Sequence, residues 1–468
     1  MSDTPPTLEP QSPVSISQDV AIAPSEPGVT TFERDIISPH HPTSGLAFSQ
    51  LLNLSIGFFG IQFAWMIQIM RTTPFLESLG SNAAISGVIW WAGPITGILV
   101  QPIVGSLSDR TRSRLGRRRP FLIAGMISTA LWLVAMPNSP TLLVAAMMLW
   151  LLDASINITQ GPYRALVPDV VPKHQHATTF AFMSFFIGLG SIAASYVGSL
   201  DVSLNTLFYI GAVAMLAFMT WTMLTTKEPK LPPVAPVGQD SGQIGVQKRG
   251  LEGIVSQTLT SIAQMPIDAK KLCLVHSLTW FGWQCMFIFF SVFVAHQIFG
   301  ATDPQAPLYQ AGLQYAATCF LIWNVVNVVA SLAIPYLLKV VSRKAIHTVG
   351  LLFMGAGLVS MHFLSVGTHV AMAMGLLGLG WATTLSIPFA MMASHIKPGQ
   401  EGVMMGTFNI FIAAPQIVAS ALAGYLVFQT GLDSSALILG GGAVLIAALL
   451  LQWVNDRPSS AVPGHVGH

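Results

Sequence analysis

The sequence predicts an all-α membrane protein of twelve spanning helices in two six-helix pseudo-repeats, and three observations carry that prediction. Of 468 residues, 52% are hydrophobic and only 9% charged, whereas soluble domains carry roughly 25% charged residues. The apolar residues gather into twelve runs, each near the ~20 residues that cross a bilayer as a helix. A polar segment rich in Pro and Gly, "KEPKLPPVAPVGQDSGQIGVQKRG", then separates the sixth run from the seventh.

The runs fall at about 48–71, 83–107, 119–137, 141–166, 178–199, 204–225, 272–298, 310–338, 347–366, 369–394, 403–428 and 433–454. Residues 1–43 are rich in Pro, Ser and Thr and lack an apolar h-region, so they are expected as a disordered cytoplasmic tail and not a signal peptide. The expected domains are a first bundle over 44–226, a linker over 227–270 ending in the amphipathic "LEGIVSQTLTSIAQM", a second bundle over 271–455, and a tail over 456–468. A net charge of +2 is too small to suggest nucleic acid as a partner. Cys273, Cys285 and Cys319 all lie inside apolar runs and are expected as small core residues, neither disulfides nor metal ligands. His276, His296, His347, His362, His369 and His395 lie mostly toward run ends without metal-ligand spacing and are expected as interface residues.

Positive charge sets an expected orientation. With the amino terminus inside, the six arginines from Arg110 to Arg119, then Lys173, the central linker, Lys339, Arg343 and Lys344 are all cytoplasmic. Only Arg71 and Arg164 fall elsewhere. The opposite orientation would violate the positive-inside rule.

The chain also repeats itself. "MSFFIGLGSIAASYVG" (183–198) and "FNIFIAAPQIVASALA" (408–423) track each other without a gap at an offset of 225, and Pro162 pairs with Pro388 at 226. Two corresponding halves imply a parallel repeat with a substrate site between them near mid-membrane. In this register Asp153 falls opposite Leu379 and Arg164 opposite Ala390, so the charges belong to one half alone.

Those charges lie in the fourth run, "LLDASINITQGPYRALVPD". Asp153, Asn157, Gln160 and Arg164 are spaced 4, 3 and 4 residues apart, which lines them along one helix face. Asp153 and Arg164 stand ~16 Å apart at 1.5 Å per residue, too far for a salt bridge within the helix. A carboxylate at mid-membrane costs ~2.5–3.5 kcal/mol or more, and intramembrane ionisable groups mark function by default. Desolvation can bring proton uptake by such a group toward working pH. A titrating Asp beside a polar stripe suits a proton-coupled carrier.

Several segments resemble the sucrose–proton symporters of the major facilitator superfamily. "IWWAGPITGILVQPIVGSLSDRTRSRLGRRRPF" (89–121) resembles their second helix and following loop, and "DASINITQGPYRALVPD" their fourth helix. "FAWMIQIMRTTPFLESLG" (63–80) looks like the first helix, and "SIPFAM" with "GTFNIFIAAPQIVAS" like the tenth and eleventh. The superfamily's shorter loop signature is here extended by "TRSRL" between Asp109-Arg110 and Gly116-Arg117. The resemblance implies a twelve-helix alternating-access carrier moving a disaccharide or related glucoside with a proton. It implies further that Asp153 is the protonation site and that Arg164 belongs to the polar core, the two being the expected proton-coupling residues. No cofactor other than the coupling proton is expected, and a functional monomer in the cytoplasmic (inner) membrane, with both termini cytoplasmic, is the expected assembly.

Two groups of residues complete the expected site. Asp109, Arg110, Arg117 and Arg118 are gating candidates, because contacts between the arginines, Asp109 and helix-end carbonyls can bias which side is open. For the sugar, amides that donate and accept at once, and indoles that cover a pyranose face, are the natural readers. The candidates are Gln62, Trp65 and Gln68 on the first run; Asn157 and Gln160 on the fourth; Trp280, Trp283 and Gln284 on the seventh; Asn324 and Asn327 on the eighth; and Asn409 and Gln416 on the eleventh. Trp90 and Trp91 are expected in the interface belt. Two features depart from the plant symporters: "RTTPFLESLGSNAA" lacks their histidine, and "FFSVFVAHQIFG" lacks their acidic residues. Both departures count against sucrose specifically, so while the resemblance puts sucrose first and maltose next, another glucoside stays open. A monosaccharide carrier, a proton-coupled exporter or antiporter, and a non-transporting membrane sensor stand as alternatives. No nucleophile–base set suggests an enzyme.

Overall fold

The computed structural model describes residues 45–228, 260, 262–395 and 401–456. The expected amino-terminal tail, all of the expected carboxy-terminal tail but Asp456, and most of the expected linker lie outside these residues. Among the described residues twelve helices are long and apolar enough to span a membrane. They are α1 (Phe48–Ser78), α2 (Ala83–Asp109), α3 (Arg119–Asn138), α4 (Leu142–Val170), α5 (Thr178–Ser199) and α6 (Leu204–Thr225) in the first half. The second half holds α7 (Ile267–Ile298), α8 (Pro307–Leu337), α9 (Arg343–Met361), α10 (Gly367–Ala393), α11 (Phe408–Thr430) and α12 (Ser434–Leu451).

Local chemistry starts and interrupts these helices. Side chains of Asn82, Thr141, Ser203 and Ser342 accept from the backbone N–H three residues on, capping α2, α4, α6 and α9. Gly431, at φ 67°, makes the turn from α11 to α12. The two repeat prolines act differently. Pro162 sits inside an unbroken α4, whereas α10 is interrupted at Leu385–Ser386 and Pro388 opens its second piece. α7 closes in a π-helical turn over Val294–Ile298.

The repeat is visible in contacts as well as in sequence. Arg118 pairs with Asp169 at the end of α4, and Arg343, 225 residues later, donates to Ser394 at the end of α10. Arg119 donates to the carbonyls of Met223 and Thr226 at the end of α6, and Lys344 to those of Gln452 and Val454 at the end of α12. Gly125 lets α3 close on Thr159 of α4, and Gly350 lets α9 close on Thr383 of α10. One scaffold has been built twice.

The halves meet toward the end of the bundle that carries Glu77. There a Cβ on Gly87 would lie 2.3 Å from the Ser420 carbonyl oxygen, and one on Gly424 2.6 Å from that of Ala83. His296 of α7 lies 3.4 Å from Glu77 of α1 and 2.7 Å from Asp433, and Tyr309 of α8 donates to Glu77 at 2.8 Å. Contacts reach inward through Asn324, which donates to Ser195, to Gly188 against Val328. At the opposite end, which carries Arg117, Arg164 of α4 is exposed, as are Ser386, Ala390 and Asn409 of the second half. The structure is closed at the Glu77 end and open at the other.

Two expectations change here. Trp90 is buried and donates to Thr73, and Trp91 donates across the halves to the Ile417 carbonyl, so neither stands in a lipid belt. His276 and His347 are fully buried: Trp280 donates to the first, and the second bonds Thr383. Cys273, Cys285 and Cys319 are buried free thiols.

The α2–α11 seam is backbone against backbone, so a side chain at its centre must push the helices apart. Gly87→Val should lengthen the spin-label distance between Ser78 and Thr430, two exposed positions on opposite halves, measured by double electron–electron resonance. Identical distributions in parent and variant would show that this seam does not close the end.

Candidate functional site

Asp153 faces inward from the middle of α4 and is 3% exposed. Its Oδ1 accepts a hydrogen bond from Nε2 of Gln68 on α1 at 2.8 Å. Its Oδ2 is buried without a partner, and no Lys, Arg or His pairs with it among the described residues. Arg71 stands one turn along α1 from Gln68 but donates to the Gly198 carbonyl on α5 at 2.8 Å. Burying a carboxylate with neither countercharge nor full hydrogen bonding costs several kcal/mol. Such a group is a natural place for a proton to be taken up and given off.

Helix α2 shapes the wall beside it. Gly93 and Gly97 are spaced like Asp153 and Asn157, and the two pairs face one another. A Cβ on Gly93 would meet Asp153 Oδ2 at 3.7 Å, and one on Gly97 would meet Asn157 Oδ1 at 3.8 Å. The Asn157 amide is fully engaged: Nδ2 donates to Thr96 at 3.1 Å and to the Asp153 carbonyl at 2.9 Å, and Oδ1 accepts from Gln101 at 2.6 Å. Further along the stripe Gln160 is half-buried and Arg164 is exposed. Arg164 has no ion pair or hydrogen bond among the described residues, so its guanidinium is available toward the open end.

The sugar-reading candidates divide by exposure. Gln62 and Trp65 of α1, Trp280 of α7 and Gln416 of α11 are half-buried, and Asn409 is exposed. Gln68, Trp283, Gln284, Asn324 and Asn327 are buried in this state. Gln284 donates to Ser420, Asn324 to Ser195, and Asn327 accepts from Ser331. Aromatic rings wall the second half. Trp381 of α10 lies 4.7 Å from Trp283, 5.6 Å from Trp280 and 5.8 Å from Phe287, which in turn meets Trp65 of the first half at 5.6 Å. Trp381, Thr96 and Gln101 escaped the sequence reading. Thr96 and Gln101 could have been found from the α2 glycine spacing, and Trp381 from its place among small residues in "GLGWATT".

The gating candidates form a cluster inside the first half. Arg118 pairs with Asp109 at 2.5 Å and Asp169 at 3.0 Å, and Arg117 also binds Asp169. Glu228 accepts from the backbone N–H groups of Arg117 and Arg118 at 2.9 and 3.0 Å, and of Arg119 at 3.4 Å. It thereby caps the amino terminus of α3. The Arg110 side chain lies outside the described residues.

The Major Facilitator Superfamily profile matches residues 54–420. The chain is 27% identical to the sucrose transport protein SUC4 of Arabidopsis thaliana, covering 90% of this chain and 93% of that one. It is 23% identical to the general alpha-glucoside permease of Schizosaccharomyces pombe, covering 81% and 87%. The nucleoside transporter NupG is similar in structure at a TM-score of 0.64 with 14% identity, over 87% of this chain and 98% of that one. A peptide transporter POT, in complex with sulfate, gives 0.66 with 12% identity, over 88% and 96%. At those identities the structural likeness speaks for the fold alone.

Removing the Glu228 acceptors leaves backbone N–H groups at the start of α3 unpaired, at about 1–3 kcal/mol. Glu228→Ala should lower the detergent-solubilised Tm by a few degrees, and Glu228→Gln, which keeps one acceptor oxygen, by less. Equal melting of parent and both variants would remove Glu228 as the cap.

Proposed function

We propose that this chain, which belongs to the major facilitator superfamily, is a proton-coupled symporter of a disaccharide or related glucoside, sucrose first and maltose next. It is a transporter and not an enzyme. The observation that carries the coupling is Asp153, a carboxyl buried mid-span with one donor, no cation among the described residues and an unpartnered oxygen. The sugar class is supported by the relatives named as sucrose transport proteins and an alpha-glucoside permease, which align over most of the chain.

In this reading the sugar lies between the halves. Gln62, Trp65, Gln160 and Arg164 face it from the first half, and Trp280, Asn409 and Gln416 from the second, with the buried Trp381 packed behind Trp280. Amides and the guanidinium read hydroxyls, and indoles cover an apolar sugar face. Asp153 takes its proton within the first half, and the halves rock to expose the site to either side. The carrier works as a monomer in the cytoplasmic membrane with both termini in the cytoplasm, so the open Arg117 end faces inward. The charge asymmetry between loops supports that orientation.

The test is uptake of a panel of radiolabelled sugars into proteoliposomes, with and without an inward proton gradient. The parent should accumulate a glucoside only with the gradient. Accumulation that ignores the gradient, or a gradient that drives sugar in the opposite direction, overturns symport. Asp153→Asn should abolish uphill accumulation while sugar counterflow partly survives, because an amide cannot bind and release a proton. Normal uphill uptake by this variant would exclude Asp153.

Arg164 supplies a second test. Lysine keeps the charge and loses the planar fork, so Arg164→Lys should cut uptake about tenfold, the equivalent of one good hydrogen bond lost at the rate-limiting step. Parental rates in the lysine variant would mean that charge alone matters.

A further inference from the structure

The sequence offered Gln68 as a sugar ligand, yet it is 1% exposed, and its Nε2 donates to Asp153. The same amide carries a second anomaly: Oε1 is buried without a partner. Thr72 Oγ1 and Arg71 Nε nearby on α1 are also buried without partners, but of these orphan atoms only Gln68 Oε1 and Asp153 Oδ2 belong to side chains that already share a hydrogen bond. Both are acceptors while the carboxyl is ionised, so neither can satisfy the other. One proton changes that.

We propose that Gln68 is a positioning residue for coupling, an amide that closes a two-bond ring with the protonated carboxyl of Asp153 and keeps a single bond to the carboxylate. In the protonated state Nε2–H donates to Oδ1 while Oδ2–H donates to Oε1. The proton comes from solvent and returns to it, and no covalent bond other than O–H forms or breaks. The inference rests on the reading of Asp153 as the proton site.

The surroundings leave this role to Gln68. On α1, Arg71 donates through Nη2 to the Gly198 carbonyl and makes no bond to Asp153, its Nε being buried without a partner. On α2 the neighbour is Gly93, which has no side chain to offer, and Thr96 bonds the α2 backbone and Asn157. On α4 the Asn157 amide is committed to Thr96, Gln101 and the Asp153 carbonyl. Because α1 and α4 belong to the same half, the pair stays together when the halves rock. Gln68 thus holds the carboxyl in place in both charge states. The bond that survives deprotonation is charge-assisted, the stronger kind, so it makes proton release feasible in a site where no cation pairs with the carboxyl.

The test uses pH-step difference infrared spectroscopy on the reconstituted full chain, with Asp153→Asn identifying the acid C=O stretch. In the parent this band should lie low, as expected for an acid bonded at both oxygens. In Gln68→Met, close in shape and without donor or acceptor, it should move to higher frequency. Transport should split in degree: gradient-driven uptake, which needs proton release, falls about tenfold, while counterflow at equal pH falls clearly less. Gln68→Asn, one methylene too short to close the ring, should behave like Gln68→Met and guards against a folding defect peculiar to one variant. An Asp153 band at the same frequency in the parent and both variants overturns the pairing, as does equal loss of counterflow and uptake, the mark of a merely structural role. Absence of any Asp153 acid band in the parent would instead defeat the reading on which the pairing rests.

Discussion

A carboxyl without a countercharge in the centre of a helical bundle is the constraint around which the first half is arranged. Among the described residues nothing cationic pairs with Asp153, so its immediate surroundings are an amide, a glycine and an asparagine. Each has a physical reason. The amide of Gln68 has both a donor and an acceptor. Gly93 removes a side chain from in front of Oδ2. Asn157 is locked by Thr96 and Gln101 and holds the polar face in register across α2 and α4. Two arginines of the same half are kept elsewhere, Arg71 by a backbone carbonyl and Arg164 by eleven residues of helix. Had either paired with Asp153, the proton proposed to bind there would have had to compete with a permanent cation.

The repeat makes this asymmetry legible. Arg118 with Asp169 and Arg343 with Ser394 are the same contact made twice, once with a carboxylate and once with a hydroxyl. The duplicated parts are those that seat helices against one another. The parts that are not duplicated, Asp153 and Arg164, stand opposite apolar residues, and the second half instead gathers Trp280, Trp283, Trp323 and Trp381 into an aromatic wall. Charge on one side and rings on the other suit a ligand with hydroxyls at its edges and apolar faces.

Most of the fold could be read from the sequence because a spanning helix needs length and apolarity, and both are compositional. All twelve spans and the pseudo-repeat were legible on that basis. The polar stripe on α4 was legible from its spacing of 4, 3 and 4. Orientation of side chains around each helix was not: burial of Gln68, Trp283, Gln284 and Asn324 depends on how the helices pack, and a helix hydrophobic on all sides gives no moment to read. Trp90 and Trp91 misled for the same reason, since an indole near a helix end suits a lipid belt and a helix seam equally well. The break in α10 at Leu385–Ser386 was hidden because Pro162 in the matching position leaves α4 intact.

The location of the contacts also constrains how a proton and a sugar can be linked. In the proposed alternating access, the seams that must separate are those at the Glu77 end: Gly87 on Ser420, the His296 bridge to Glu77, and Asn324 on Ser195. The bonds of Asp153 lie wholly within α1, α2 and α4, so rocking neither makes nor breaks them. In that proposed cycle, motion changes only which side reaches the carboxyl. Protonation in turn reaches the moving surface through the stripe on α4, where Asn157 accepts from Gln101 and Arg164 faces the open end. In the proposed symport, coupling is a matter of charge: an ionised carboxylate in a closed bundle carries its burial cost, a neutral one does not, and the halves would change sides at low cost only with the proton aboard.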